Sequence, residues 1–482
     1  MATGLDSATG QREHGGTAGH PTGRFGGAAF ARLRRGFSGQ LIQREDAGYD
    51  VHRRVWNGSI DHYPALIARC TGPADVAAAI GFSRETGLPL AVRGGGHSFP
   101  GLSVCDDGVV VDLGPMRRIR VDGAGRSVRA EGGVLLGELD GATQQHGLAV
   151  PSGAVTHTGI AGLTLGGGIG WLMRKHGLTI DQLQSVELVT ADGRQLTASE
   201  AEHADLFWAI RGGGGNFGVV TEFTYRLNPV GPTVLSSLVL WPLADGVDVV
   251  RHYREWCAGA PDELTTALVL RRAPRLDLIP VELHGRPVVG VVGCWSGPLA
   301  DGEQVLRPLR AFGRPAADLT AARLFVEHQS ILDASFPPGI WVYMRACDVA
   351  ELTDEVADIV IDHAERIEST RSTVTIWQLG GAVARVDPDA TAYAGRSSGF
   401  IVNITGATES AAGFKQERHW VLDYWRALAA HQRGVYVNFL MDEGPERVRE
   451  AYGTRTYDRL AAVKRVYDPG NLFRLNQNVA PA

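Results

Sequence analysis

The chain has 482 residues, 44% of them hydrophobic and 21% charged, with a formal net charge of −6. That length allows two or three domains with ample core, and the composition is that of an ordinary globular protein. The acidic balance excludes a nucleic-acid or anionic-membrane surface as the organising feature, and no apolar run approaches the ~18 residues of a membrane span. Of 47 basic residues only Lys175, Lys415 and Lys464 are lysine, which leaves little for Schiff-base chemistry. Cys70, Cys105, Cys257, Cys294 and Cys347 have no CxxC spacing and read as buried free thiols, so a cytoplasmic location is expected. Arg34-Arg35 is followed by Ser38-Gly39-Gln40 where an export signal would be apolar, so no signal is read there.

Residues 1–28 are rich in Gly, Thr, Ala and His without apolar periodicity and are expected to form a disordered tail, with His14 and His20 solvated. Between Tyr63 and Val92 the pattern is strand, helix, strand, with Pro73 opening the helix and Gly87 and Pro89 closing it. Strands are predicted at Val109–Leu113, Ile119–Asp122 and Ser127–Glu131, and an amphipathic helix at Leu135–His146. A strand at Leu183–Thr190, a tight turn at Ala191–Gly193, a helix at Asp205–Ile210 and a strand at Val219–Leu227 follow. Beyond Pro229 and Pro232 the strands lengthen: Val234–Leu243, Leu264–Leu270, Val288–Trp295, Val374–Val386 and Phe400–Thr405. Helices at Ala350–Ile367 and Ala411–Ala430 sit between them, which suggests a large sheet with helices on one face. A last strand, Val435–Phe439, and a helix through Val448 and Val463 complete the pattern.

The densest chemical signal is Arg93-Gly94-Gly95-Gly96-His97-Ser98, placed where the apolar run Leu90–Val92 ends. Consecutive glycines let backbone N–H groups converge on one point, which suits a phosphate. The run Gly153 to Gly170 repeats the device, so a nucleotide cofactor is the economical reading. Gly213-Gly-Gly-Asn-Phe-Gly218 fits GxGxxG, but a helix precedes it and a strand follows, so the dinucleotide context is absent. Gly395-Arg-Ser397-Ser-Gly399 fits GxSxG, yet a loop enters and a strand leaves. A serine hydrolase through Ser397 is therefore the different-class alternative, with a turn serine as the bland reading. Tyr436 and Asn438 alternate with Val435, Val437 and Phe439, so a strand would put both on one face.

Taken together, Arg93–Ser98, Gly101, Leu163–Gly170, Asp205–Gly218 and Asp468–Asn478 resemble the berberine bridge enzyme-like FAD-linked oxidases of the vanillyl-alcohol oxidase/PCMH flavoprotein superfamily. The resemblance runs from about Gln40 to Pro481. It implies an α+β fold: a PCMH-type two-lobed FAD-binding domain, and a substrate domain built on a large antiparallel sheet covered by helices. The expected divisions are 1–28 for the tail, 29–228 for the FAD domain, 229–434 for the substrate domain and 435–482 for a segment returning to the FAD domain.

The resemblance also implies FAD contacts at Arg93, Gly94, Gly95, Gly96, His97, Ser98 and Gly101. Further contacts are implied at Gly153, Thr156, His157, Thr158, Gly159, Gly162, Gly166, Gly168 and Gly170, and at Gly218, Val220, Tyr436 and Asn438. His97 would carry the flavin covalently. The second, cysteinyl link of many members would fall at Val155, so attachment through His97 only is expected. Thr158 matches the family's oxygen gatekeeper, and Tyr436 its catalytic tyrosine, whose pKa would have to be lowered to act near neutrality. The glutamate base of the alkaloid-cyclising members is missing from the roughly matching stretch Asp389-Ala390-Thr391, and Phe99 replaces a second tyrosine.

The expected activity is hydride removal from an alcohol, hemiacetal or activated C–H of a small molecule, such as a sugar or a secondary-metabolite intermediate. Dioxygen would be the acceptor and hydrogen peroxide the product. A dehydrogenase with another acceptor, and a flavin-binding protein without turnover, are the alternatives. No metal, nucleic acid or membrane partner is expected. Trp341, Tyr343, Arg345 and Gln378 are candidate walls of the substrate site.

Overall fold

The computed structural model describes residues 27–482, so His14, His20 and nearly all of the expected tail lie outside the described residues. The described residues begin with a helix, Gly27–Gly36, and then build three main sheets. In the first, Leu66–Arg69 and Leu90–Arg93 both run parallel to Val109–Asp112, with Gln40–Ile42 antiparallel at the edge. The helix Pro73–Thr86 makes the crossover, started by Pro73 and stopped by Gly87 at φ 71°. Parallel strands are covered on both faces, so Val109, Val110 and Val111 are all fully buried.

The second sheet is antiparallel, in the order Ile119–Asp122, Ser127–Glu131, Val219–Arg226, Leu183–Val189, Gln195–Ser199. The third has nine strands, including Thr233–Pro242, Leu264–Arg272, Pro287–Trp295, Trp341–Val349, Thr373–Gln378 and Phe400–Thr408. This is the α+β architecture expected: two lobes of mixed structure, and a large antiparallel sheet with helices on it.

Alternation along the long strands decides what each face of the third sheet meets. Val374, Ile376, Val402 and Ile404 pack with Tyr253, Val356, Val360 and Tyr424 of the helices Gly246–Ala258, Asp354–Glu365 and Phe414–Ala427. Thr375, Trp377, Asn403 and Thr405 point the other way, into a cavity. The sheet is thus a partition between a helical layer and the site.

Three predicted elements need correction. The strand expected over Val374–Val386 ends at Gln378, because Gly380 and Gly381 take positive φ (89° and 54°) and a short helix, Ala382–Arg385, follows. Val435–Phe439 is not a strand: Val437–Phe439 is a single 3₁₀ turn, with the Phe439 N–H bonded back to the Tyr436 carbonyl. The last helix is two helices, Pro445–Tyr452 and Thr454–Tyr467, separated by Gly453 at φ 70°. The edge strand Gln40–Ile42 and the long strand Trp341–Val349 were missed. All five cysteines are free and buried, and among the described residues no helix is long and apolar enough to cross a membrane.

Candidate active site

The two glycine runs meet back to back. A Cβ on Gly95 would stand 2.3 Å from the Gly159 nitrogen, and one on Gly159 would stand 2.3 Å from the Gly95 nitrogen. Only glycine at both positions lets the two main chains touch. The contact lies where the loop after Leu90–Arg93 crosses the start of the helix Ile160–Gly166. Around it opens a cavity of about 360 Å³, floored by Gly94–Ser98, Gly153–Val155, Thr158, Gly159 and Gly162, and roofed by Thr375, Trp377, Asn403 and Thr405. Tyr436, Asn438, Phe439 and Asn476 close its sides.

From Gly94 to Ser98, none of the five backbone N–H groups donates to a protein acceptor among the described residues. Unpaired main-chain donors around a hollow are costly unless a ligand takes them, and converging N–H groups favour an anion. This donor set fits the phosphates of FAD.

His97 sits at the end of that loop. Its ring stacks on Trp56 (centroids 4.7 Å apart, planes at 19°), and its Nε2 lies 2.6 Å from Nδ1 of His157. Burial, with the His157 ring second, lowers the His97 pKa to about 3, so its imidazole is neutral across the working range. A neutral imidazole held on both sides can act as a nucleophile toward a bound flavin.

Among the described residues Tyr436 is the other titratable side chain on the cavity wall, and no Asp, Glu, Lys, Arg or Cys lines it. Its hydroxyl oxygen accepts the Gly168 N–H at 2.9 Å and the Asn438 amide at 2.8 Å. Both donors favour the phenolate, but burial outweighs them and pushes the pKa up to about 12. The protein's own groups therefore do not supply the lowering that action near neutrality needs, and Arg396, which neighbours Tyr393, pairs with Asp181.

Of the residues singled out from sequence, Gly94, Gly95, Gly96, His97, Ser98, Gly153, Thr158, Gly159, Gly162, Gly218, Val220, Tyr436 and Asn438 line the cavity. The others stand behind it. Arg93 is buried in an ion pair with Asp112 (2.8 Å), which anchors the loop rather than reaching the hollow. Gly101, at φ 79°, packs against Ile60, and Thr156 is bound through its N–H and hydroxyl by Asp333. His157 supports His97; Gly166 makes room for Asn438; Gly168 offers its N–H to Tyr436; and a Cβ on Gly170 would strike the Ser152 carbonyl at 1.8 Å.

The proposed wall residues Trp341, Tyr343, Arg345 and Gln378 are absent from the cavity. Trp341 packs on Phe414, Arg345 pairs with Glu443, and Gln378 binds Thr266 and the Cys257 carbonyl. Trp56, Phe336, Thr375, Trp377, Asn403 and Thr405 were missed. The signal was there in the strand alternation, since the wholly apolar set Val374, Ile376, Val402 and Ile404 had to face the helices. Ser397 is an exposed residue of a 3₁₀ turn, and among the described residues no histidine bonds to it, which is the turn serine of the bland reading. Asp389 is exposed and pairs with Arg455. Among the described residues, no group of three His, Cys, Asp or Glu could hold a metal.

Comparison with known proteins bears on this geometry. The sequence profile of the FAD binding domain family matches residues 64–199, and the profile described as berberine and berberine like matches residues 435–480. An uncharacterized FAD-linked oxidoreductase of Bacillus subtilis is 31% identical over 455 residues, covering 92% of this chain and 97% of that protein. The chain belongs to the berberine bridge enzyme-like FAD-linked oxidoreductases. The (R)-6-hydroxynicotine oxidase of Paenarthrobacter nicotinovorans is likewise 31% identical to this oxidoreductase over 458 residues, covering 92% and 97%. The crystal structure of 6-hydroxy-D-nicotine oxidase from Arthrobacter nicotinovorans shares the oxidoreductase fold with a TM-score of 0.83 at 29% identity, over 92% of this chain and 98% of that one.

Proposed function

We propose that this FAD-linked oxidoreductase is an oxidase. It removes hydride from an alcohol, hemiacetal or activated C–H of a small molecule, with dioxygen as acceptor and hydrogen peroxide as product. One observation carries the reading: the cavity wall holds two titratable side chains, His97 and Tyr436, over a floor of unpaired N–H groups. If His97 carries the cofactor, Tyr436 is left to handle the proton.

The chemistry FAD supplies when bound is acceptance of the hydride and return of both electrons to dioxygen. Gly94–Ser98 would hold the diphosphate, and His97 would carry the single covalent tether. A single tether is supported by Val155, which stands on the cavity wall where a second link would fall, and by the five cysteines, none of which lines it. Tyr436 takes the substrate hydroxyl proton when it is deprotonated, a minor form near neutrality because burial pushes its pKa up to about 12. The Gly168 N–H and the Asn438 amide stabilise the phenolate oxygen. The oxygen gatekeeper position is the small residue Thr158, which also lines the cavity and favours oxidase behaviour.

Denatured, washed protein should retain flavin absorbance, and substrate turnover should release peroxide in preference to reducing an artificial acceptor. Colourless washed protein would overturn the tether. Electrons reaching only the artificial acceptor would make the enzyme a dehydrogenase.

A further inference from the structure

Five arginines are buried among the described residues, and four of them have their charge or their donors answered. Arg93 pairs with Asp112, Arg396 with Asp181, and Arg447 with Glu443 and Glu450. Arg174 has no acid beside it, but each of its three nitrogens donates to a carbonyl, of Leu264, Leu379 or Ala260. Arg271 is the exception. Its Nη1 donates to Ser335 Oγ and its Nη2 to the Thr370 carbonyl, both at 2.9 Å, while Nε has no partner. Among the described residues no carboxylate pairs with it: Glu409 is taken by Arg371 at 2.9 Å, and both oxygens of Asp333 by Thr156. Burial, with the like charge of Arg371 second, lowers the Arg271 pKa to about 10. A buried cation without a counter-charge is strongly unfavourable, and three of the five guanidinium N–H groups are left without an acceptor as well.

The place of this arginine matters as much as its charge. Arg271 is paired across the sheet with Thr373, and Thr373 with Thr405, which lines the cavity. Ser335 belongs to the segment Leu332–Phe336, whose two end residues line the cavity. The same segment gives its Ala334 carbonyl to Arg371 at 3.3 Å and its Phe336 carbonyl to the Trp56 indole N–H at 2.9 Å. Two cations therefore hold a piece of the cavity wall from behind. Thr370 is exposed and Arg371 half-buried, so solvent lies close to the guanidinium on that side.

We propose that Arg271 and Ser335 form a binding site for a small inorganic anion, of the size of chloride or phosphate, which enters beside Thr370 and fixes the Leu332–Phe336 segment of the cavity wall. Its donors are the free N–H groups of Arg271 and the Ser335 hydroxyl, whose hydrogen no protein acceptor takes among the described residues. Arg371 adds a second positive charge within electrostatic reach. Guanidinium is weakly hydrated and presents its N–H groups in a rigid fork, which suits an anion taken out of water. The site stands apart from the main-chain donors of Gly94–Ser98 and from Tyr436, and it depends on neither the substrate nor the electron acceptor.

The test uses the whole protein, moved at constant ionic strength from sodium gluconate, whose anion is too large for a buried site, into sodium chloride or sodium phosphate. Titration calorimetry should find one anion per chain, and Tm should rise by ~3 °C at a hundredfold excess over Kd. Response to chloride alone sets a halide-sized site, and a stronger response to phosphate an oxyanion site; both support the proposal. Arg271→Met should respond to neither anion, and in gluconate its Tm should equal or exceed that of the wild type, because an unpaired buried charge has been removed. Ser335→Ala keeps the charge and should weaken anion binding ~10-fold, which keeps the test alive should the methionine variant not fold. Deuterium uptake of a peptide spanning 330–339 should slow when the anion binds the wild type and stay constant in Arg271→Met. Binding of neither anion, an undiminished response in Arg271→Met, or a Tm lowered equally by that substitution in all three salts would overturn the site. Uptake unchanged by a bound anion would overturn its hold on the cavity wall.

Discussion

Asn438 donates its amide to the hydroxyl of Tyr436 at 2.8 Å, although the two residues belong to a 3₁₀ turn and not to a strand. The turn carries the asparagine under Gly166, where a Cβ would lie 2.2 Å from its amide oxygen. Tyr436 thus accepts from a side chain two residues on and from a main-chain N–H of the glycine run, and the oxygen is fixed at the cavity wall.

That fixed oxygen gives the first prediction. Tyr436→Phe should slow anaerobic flavin reduction by ~10²–10⁴-fold if the phenolate takes the proton. Because burial holds the hydroxyl up at about 12, the wild-type rate should climb roughly tenfold per pH unit from 7 to 10, with no plateau in that range. A flat profile measured by stopped-flow would move the base elsewhere.

His97 is held by rings on both sides, Trp56 stacked on it and His157 hydrogen-bonded to it. His97→Ala should make the flavin extractable by acid precipitation, while phosphate contacts at the main chain still retain it in the native protein. Fluorescence of the denatured band on a gel, lost in the variant and present in the wild type, is the measurement. Fluorescence that survives the substitution would place the attachment on another residue.

Asp140 predicts a pH dependence of stability. It is fully buried between the helix Leu136–Gln144 and Gln329, whose amide donates to it at 2.8 Å, and burial raises its pKa to about 7. The folded chain therefore keeps a proton that the unfolded chain releases near 3.8. Its stabilising contribution is complete below that pH and is lost as pH rises through about 7, a change on the order of 4 kcal/mol. His97 and His328, both lowered to about 3 by burial, act in the opposite direction and cost stability as pH falls below 6.5. Asp140→Asn should accordingly raise Tm relative to wild type more at pH 8 than at pH 5. Equal shifts at the two pH values would mean that Asp140 is ionised in the native protein.

How far the sequence is legible depends on which physical signal a feature uses. The glycine hollow is legible because unbroken glycine has few uses other than close backbone approach, and Gly95 and Gly159 use it that way. The strand, helix and strand between Tyr63 and Val92 and the strand after them follow from Pro73, Gly87 and the apolar run Val109–Val111, whereas their order in the sheet is set by pairing between distant segments. The roof was misread by parity: Gln378 and Trp377 are neighbours on one strand, so one faces the helices and the other the cavity. Tyr436 could be found while its pKa could not, because residue type is local and desolvation belongs to everything packed around the ring. Trp56 and Phe336 lie far from the motifs in sequence, and their place beside His97 and in the roof is set by tertiary structure alone.

The contact between the two glycine runs can be tested by one methyl group. In Gly95→Ala the new Cβ would fall 2.3 Å from the Gly159 nitrogen and 2.5 Å from its Cα, both main-chain atoms with no rotamer to yield. The two loops must separate, and overpacking against backbone at such a point should cost about 3 kcal/mol. Gly141→Ala is the control: it lies exposed in the helix Leu136–Gln144, a Cβ there meets nothing within 4 Å, and helix propensity should raise stability by about 0.5–1 kcal/mol. Denaturant unfolding compares the two, and flavin content per chain reports whether the hollow survives. The cavity floor requires the first variant to lose both stability and flavin while the control loses neither; an alanine at 95 that keeps full flavin content would show that the hollow does not depend on this contact.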